Sequence, residues 1–410
     1  MEGEEKRMDE IRQRLNIDLV LLIGFVIASH LDSKLAALIF AVLVLYNIYI
    51  IIKDNRIDMI KEYYSKNKTY ILSIIMFIIL PFVAIILHGL PFAEISLWLS
   101  QLRNEIIGIV LPFILLKNRV KMVYIFLTTV CMVNIAMFYG YFKYYIIGFD
   151  RLSSFITNNP NVYSTYLLIL FCVVCYTMFY INQYKYILAF TLVNIFVSLV
   201  IANSRGCILL FFIGMLFAAV ILLKNSLRHL VAFIIFIIVC FGGIYSLSPA
   251  FQNRIDNTLS SAKFDNERFI IYNTAINIIE ENPMVGIGMG NFKKQYEEHN
   301  EYKDINNKVF YHVHQIILEM MVESGIFGLV AFICFIFGQF KVYVKGYLEN
   351  RYNTIKRYAA LMCLFITGLV FAYMQVENTY FALRKIYWIY IGIGYYLLIN
   401  PDQMLKNKEY

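Results

Sequence analysis

Long apolar runs follow one another along nearly the whole chain and are separated by short polar connectors. A membrane-spanning helix requires about 20 consecutive apolar residues, because it crosses a hydrocarbon core about 30 Å thick. The pattern predicts about twelve such spans and therefore an all-α polytopic membrane protein. The predicted spans are 17–31, 34–52, 70–88, 95–116, 122–147, 162–181, 186–202, 206–223, 229–247, 314–340, 358–376 and 380–399.

The composition supports a membrane protein. Of the 410 residues, 60% are hydrophobic and 16% are charged, whereas soluble domains carry about 25% charged residues. The net charge of +8 would suit nucleic-acid binding, but most Lys and Arg residues lie in short loops between apolar runs. Lys and Arg in such loops are typical of a membrane protein, where they set the topology. We therefore predict membrane lipid as a partner and no nucleic acid. We expect one integral membrane domain over residues 1–410.

Lys and Arg residues concentrate in alternate connectors, which sets the expected orientation. The N-terminus, MEGEEKRMDEIRQR, is too polar and acidic for a signal peptide, so we expect the first apolar run to be retained. Connectors such as 53–68, 117–121 and 341–357 are rich in Lys and Arg, whereas the short segments between them hold few. The positive-inside rule then places both termini in the cytoplasm and the polar loop 248–311, between spans nine and ten, outside.

The stretch Glu267–Leu329 departs most clearly from the apolar pattern. It begins ERFIIYNTAINIIEENPMVGIGMGNF, where four apolar positions at helical spacing predict an amphipathic helix on the membrane surface. Those positions are Phe269, Tyr272, Ile276 and Ile279. Asn282 and Pro283 should end the helix, because the residue before a proline avoids helical backbone. The GxGxG pattern that follows lacks the strand context of a dinucleotide site, so it predicts only a turn.

Four arginines fall on the predicted outer surface, namely Arg151, Arg205, Arg254 and Arg268. A guanidinium keeps its charge when partly desolvated and offers paired donors to phosphate oxygens. We therefore predict that Arg205, Arg268 and Arg151 bind an anion. Two alternatives stay open: Arg205 would cap a hairpin between two spans with its charge at the surface, and Arg151 would attract lipid headgroups.

His312 and His314 alternate immediately before an apolar run. An imidazole titrates near neutral pH and can take a proton from a sugar hydroxyl, so we predict acid–base catalysis. A zinc pair and a surface pair without a role are the alternatives. Glu323 follows His314 by about two and a half helical turns, which favours an interhelical hydrogen-bond partner over a base.

These residues resemble the motifs of the O-antigen ligase and polymerase superfamily of bacterial membrane glycosyltransferases. The resemblance covers the span architecture and four stretches, whose order and common outward side make the set specific. The stretches are RLSSFITNNPN at 151–161, NSRGCILLFFIG at 203–214, Arg268 with NPMVGIGMGNF at 282–292, and HVHQIILEMMVESGIFGL at 312–329. Glu323 fits the family's Glu-x-Gly-x-x-Gly pattern, but Gln315 replaces the usual Asn after the histidine.

The resemblance implies a helical C-type glycosyltransferase in the cytoplasmic (inner) membrane of a bacterium, with an extracytoplasmic active site. The donor would be a glycan on undecaprenyl diphosphate, and the acceptor a hydroxyl of another glycan. The implied roles are general base for His314 with His312 beside it, diphosphate binding for Arg205, Arg268 and Arg151, and support for Glu323 and Gln315. Because arginines can stabilise a diphosphate leaving group, we expect inverting transfer with no metal and no cofactor.

Two alternatives stay open on function. A ligase would use lipid A-core as the acceptor and a polymerase a second lipid-linked repeat, and the shared motifs do not separate them. A transporter or flippase of the same lipid-linked sugars is the competing class, since about twelve spans would suit one. Transporters commonly have repeated halves, whereas this chain has no evident internal repeat and one asymmetric outer loop.

Overall fold

Helices form almost all of the computed structural model, as the apolar pattern predicted. It describes residues 2–55, 57–118, 122–223, 226–247, 263–299 and 312–400, together with residues 249, 252, 253, 256 and 310. Within these residues the backbone forms fifteen α-helices and no β-strand. The helices are α1 (Glu2–Leu31), α2 (Ser33–Lys53), α3 (Ile57–Lys66), α4 (Lys68–Leu87), α5 (Phe92–Asn118), α6 (Met122–Phe142), α7 (Pro160–Tyr180), α8 (Lys185–Ala202), α9 (Arg205–Leu223), α10 (Leu227–Leu247), α11 (Lys263–Glu281), α12 (Phe292–His299), α13 (Ile316–Glu349), α14 (Thr354–Tyr373) and α15 (Tyr380–Ile399).

Each of the twelve predicted spans coincides with a helix, which confirms an all-α polytopic membrane protein. Eight helices in the described residues are long and apolar enough to cross a membrane. Three further apolar helical segments are shorter, namely Ile17–Leu31, Arg205–Ile221 and Leu227–Gly243. The remaining predicted span is α15, which carries Arg384 and Lys385 close to its beginning.

Aromatic and glycine contacts join the central helices. The helix α13 packs along α4, and α15 packs along both α5 and α14. Gly108 of α5 lies under the indole of Trp388, where an added Cβ would come within 2.3 Å of the ring. Tyr70 stacks on Tyr395 with 3.6 Å between ring centroids, and its hydroxyl donates to the Gly108 carbonyl at 2.9 Å. These contacts hold α4, α5 and α15 against one another. The predicted site residues lie in turns at one end of the bundle.

A small second core lies at this end of the bundle. Its buried side chains come from α11, α12, α13 and the turn before α13. They are Ile270, Ile271, Ala275, Ile278, Phe292, Tyr296, Val313 and Val322. The predicted amphipathic helix is present as α11, but its predicted stripe is divided: Tyr272 and Ile279 pack on this core, whereas Phe269 and Ile276 are exposed. In the predicted loop, residues 248, 250, 251, 254, 255, 257–262, 300–309 and 311 lie outside the described residues, and Arg254 is therefore not described.

Gly325 interrupts α13 and allows the glycine turn 286–290 to dock on it. The Gly325 backbone lies at φ 57° and ψ −143°, outside the helical region. The carbonyls of Val322 and Glu323 accept hydrogen bonds from backbone N–H groups of the turn at 2.8 and 3.1 Å. Gly286 fits here only without a side chain, because an added Cβ would come within 2.5 Å of the Val322 carbonyl. The GxGxG pattern is therefore a packed turn that reaches the first part of a membrane helix.

Replacing Gly325 by Ala should destabilise the protein by about 1–3 kcal/mol, since few residues other than glycine adopt this backbone conformation. The new Cβ would also come within 2.4 Å of the Met284 carbonyl. We expect a lower thermal unfolding midpoint in detergent. Gly242→Ala on α10 is the matched control, because nothing lies within 4 Å of its added Cβ. Equal midpoints for the two variants would contradict this account.

Candidate active site

His312 and His314 lie in the short turn that leads into α13. The buried side chain of Val313 anchors this turn in the second core, and the two imidazole rings lie 4.2 Å apart between centroids. His314 has a positive φ of 62°, which is uncommon for a residue with a side chain. Its Nδ1 lies 3.0 Å from Oε1 of Glu377. Because a carboxylate only accepts hydrogen bonds, Nδ1 carries the proton and Nε2 is the basic nitrogen.

Glu377 is the site residue that the sequence analysis missed. It lies in the turn 374–379 between α14 and α15, and 63 positions separate it from His314. The available signal was an acidic residue in the polar interruption QVENT between the last two predicted spans. No spacing rule relates two turns that are so far apart in the chain, so only the packing of α13 beside α14 and α15 reveals the pair.

Gln315 joins the turn of the histidines to the turn of Glu377. Its Oε1 caps α13 by accepting from Leu318 N at 2.6 Å, and its Nε2 donates to Gln375 Oε1 at 2.9 Å. A backbone hydrogen bond from residue 316 to the carbonyl of residue 374, 3.1 Å long, runs beside it. The side chain therefore uses its acceptor and its donor together to hold the two turns in place.

Two ionisable groups of these turns, Glu377 and His312, have shifted pKa values. Burial opposes the charge of Glu377, but the hydrogen bond from His314 and the charge of Arg268 help to outweigh it, so the pKa of Glu377 is lowered. Burial and the neighbouring His314 lower the pKa of His312 to about 4, against an opposing effect of Glu377. Near pH 7 the site thus contains an ionised Glu377 and a neutral His312. Arg268, on α11, is the predicted arginine whose charge acts on Glu377.

Arg205 is brought to the same end of the bundle by the turn between α8 and α9. It is the first residue of α9 and is half-buried. The hydroxyl of the preceding Ser204 lies 3.0 Å from the Tyr373 hydroxyl. The Tyr373 carbonyl in turn accepts a hydrogen bond from Glu377 N at 3.0 Å. Tyr373 therefore connects the turn that carries Arg205 to the turn that carries Glu377.

Arg151 is bound to the protein's own backbone. Its guanidinium donates to the carbonyls of Ala202 at 3.0 Å and Asn203 at 3.2 Å, and to Asn161 Oδ1 at 2.9 Å. Asn203, whose carbonyl is one of these acceptors, has a left-handed backbone with φ 53°. Arg151 thus positions the segment that ends in Arg205, and diphosphate binding by Arg151 itself stays a prediction.

Glu323 contacts the glycine turn. Its carboxylate is buried and accepts a hydrogen bond from Gly290 N at 3.0 Å. The predicted hydrogen-bonding role is seen, but the partner is loop backbone and not another span. His88 holds the same turn from the other side, since its Nδ1 lies 3.0 Å from Glu94 Oε2 and its Nε2 lies 3.2 Å from the Gly286 carbonyl. Neither His88 nor Glu94 was singled out from the sequence.

The donor atoms of His312, His314 and Glu377 lie within 4.8 Å of one another. Two imidazoles and a carboxylate are ligands that zinc accepts. The carboxylate, however, already accepts a hydrogen bond from His314 and lies in the field of Arg268. This positive charge opposes a divalent cation and favours an anion. The surroundings of the three residues therefore fit a bound anion better than a bound metal.

Comparison with known proteins agrees with the motifs. The family described as O-antigen ligase matches residues 187–333, a region that includes Arg205, Arg268 and both site histidines but neither Arg151 nor Glu377. A Rickettsia conorii protein whose name describes it as a candidate polysaccharide ligase is 26% identical over 164 residues, which are 38% of this chain and 37% of that protein. The chain thus spans little more than a third of this relative. The family match covers little more than a third of this chain, so it shows similarity to the O-antigen ligase family over residues 187–333.

Replacing Glu377 by Gln should remove a pH-dependent part of the stability. A lowered carboxyl pKa stabilises the folded protein above the ordinary carboxyl range, and this contribution is lost as the pH falls through the lowered value. We expect the thermal midpoint of Glu377→Gln to lie below that of the wild type at pH 7 and to approach it in acid. Glu349→Gln, at an exposed carboxylate, is the control. A difference that is constant over the whole pH range would refute the assignment.

Proposed function

We propose that the protein transfers a glycan from undecaprenyl diphosphate to a hydroxyl of an acceptor glycan at the extracytoplasmic face of a bacterial cytoplasmic membrane. The observation that carries this proposal is the 3.0 Å hydrogen bond between His314 and Glu377, in a turn influenced by Arg268. An oriented imidazole supplies a base, and a nearby guanidinium supplies a counter-charge for a leaving anion. The similarity of residues 187–333 to the O-antigen ligase family supports transfer of a glycan as the reaction.

His314 is proposed as the general base. Glu377 holds the Nδ1 proton, so that Nε2 can take the proton of the acceptor hydroxyl. The hydroxyl oxygen forms a bond to the anomeric carbon while the bond from that carbon to the diphosphate oxygen breaks. The proton ends on His314, where the carboxylate of Glu377 stabilises the imidazolium. One displacement of this kind inverts the anomeric configuration.

Arg205 and Arg268 are proposed to stabilise the diphosphate as it leaves. Negative charge develops on the bridging oxygen as the bond to the sugar breaks, and a fixed guanidinium is already oriented to receive it. Arg205 also begins α9, whose first backbone N–H groups favour an anion. His312, which is neutral near pH 7, would then contact a sugar hydroxyl as a hydrogen-bond partner.

His314→Ala should reduce glycan transfer by about 10²–10⁴-fold, since it removes the base. Arg205→Ala should also reduce glycan transfer, because the leaving diphosphate loses a counter-charge. The measurement is the chain length and amount of surface glycan in cells, with expression checked in the membrane fraction. His229→Ala, at an exposed histidine at the start of α10, is the matched control. Normal glycan in both site variants at normal expression would sink the catalytic assignment.

The acceptor class is tested by the glycans of a deletion strain. A ligase uses lipid A-core as the acceptor, so its deletion should leave long lipid-linked chains and no glycan on lipid A-core. A polymerase uses a second lipid-linked repeat, so its deletion should leave a single repeat on the core. A gel of surface and lipid-linked glycans distinguishes the two results, and unchanged glycans in both fractions would contradict both.

A further inference from the structure

An apolar groove runs down the side of the bundle between α7, α9, α10 and α14. Its volume is about 330 Å³, and its lining is apolar except for tyrosine hydroxyls. At one end the groove is bordered by Phe211 and Leu369, and at the other by Phe179 and Tyr358, whose rings lie 4.7 Å apart. Phe179 is 58% exposed, so the groove opens sideways towards the surrounding lipid. A volume of this size is in the range of small-molecule sites.

The groove begins on α9 and α14, and one end of each of these helices belongs to the candidate active site. Arg205 is the first residue of α9, and Phe211 follows it by about 9 Å along the helix axis. Tyr373 ends α14, and Leu369 precedes it by about 6 Å. The hydroxyls of Ser204 and Tyr373 hold these two helix ends together. A molecule whose anionic group lies at Arg205 therefore has the groove directly below it in the membrane.

Small residues of α9 make room for the groove. Gly214 lies so close to α14 that an added Cβ would come within 3.2 Å of Leu369. Ala218 follows one helical turn later and contributes only a methyl group to the wall. A larger side chain at either position would fill the space between α9 and α14.

The length of the groove indicates a long occupant. Tyr358 lies about 22 Å from the Tyr373 end of α14, and Ala218 about 20 Å from Arg205. The hydrocarbon core of a membrane is about 30 Å thick, so an acyl chain of one leaflet ends about 15 Å from its surface. A chain that enters beside Arg205 and fills the groove must continue past the middle of the membrane. An ordinary phospholipid tail from that side is too short, whereas a long isoprenoid is not.

We propose that this groove binds the isoprenoid tail of the lipid-linked donor. The proposal rests on the proposed function, since it takes Arg205 as part of the diphosphate site. The groove then has two effects: it adds apolar contact along the tail, and it fixes the direction from which the diphosphate enters. Selection of a polyprenyl donor over shorter lipids would follow from the far half of the groove, which only a long tail reaches.

Filling the groove should weaken binding of a long donor specifically. We expect Ala218→Phe to raise the KM for an undecaprenyl-diphosphate-linked glycan by about tenfold, with kcat unchanged. The KM for the same glycan on farnesyl diphosphate should not change, because that tail does not reach Ala218. Val220→Phe is the matched control, since Val220 lies on α9 at an exposed position outside the groove. Activity with the short donor shows that each variant is folded.

Several outcomes would overturn the proposal. They are an unchanged KM for the long donor in Ala218→Phe, an equal rise for both donors, and an equal rise in the Val220→Phe control. Any of them would leave the proposed function intact, because transfer itself would still be observed. Absence of transfer by the wild type with either donor would instead defeat the proposed function.

Photo-crosslinking tests the groove without activity. Undecaprenyl phosphate with a diazirine midway along its tail should label peptides that contain Phe179 or Tyr358, and Ala218→Phe should reduce the labelling. A phospholipid with a diazirine on its acyl chain is the second probe. Labelling by the phospholipid that undecaprenyl phosphate does not displace would show that an ordinary membrane lipid occupies the groove, and would refute the inference.

Discussion

Within a membrane, a chain can leave helical hydrogen bonding only where other protein groups satisfy the freed backbone. The irregular turns at one end of this bundle meet that requirement by binding one another. The turn 286–290 docks where Gly325 interrupts α13, and the turn 374–379 docks on the start of α13. Arg151 in the same way holds the turn between α8 and α9. The candidate site is assembled by these turn-to-turn contacts, which bring together residues from both halves of the chain.

The ionisable groups at this end of the bundle differ in their protonation near pH 7. Glu377 is ionised in the field of Arg268 and receives the hydrogen bond of His314, whereas burial keeps His312 neutral near pH 7. One carboxylate is therefore committed to orienting an imidazole, and Arg205 is held nearby by the contact of Ser204 with Tyr373. This arrangement favours an anionic ligand beside a protonatable base.

The helices were predictable because each apolar run has the length that a membrane requires, and each of the twelve predicted runs coincides with a helix. Most residues of the candidate site had a signal in the sequence, since charged or titratable groups beside long apolar runs are conspicuous. Glu377 was not, because its partner His314 is 63 positions away. The contacts of Arg151 with the turn that carries Arg205 were likewise not predictable, because the sequence identifies both residues only as outer-surface arginines.

The sequence by itself determined that this is a helical membrane protein with the motifs of the O-antigen ligase superfamily, because hydropathy and local motifs are properties of neighbouring residues. The tertiary structure alone decided which turns contact one another, because the packing of α13 against α14 and α15 depends on side chains far apart in the chain. It therefore supplied the partner of His314, the docking of the glycine turn at Gly325, and the apolar groove that continues from Arg205 between α9 and α14.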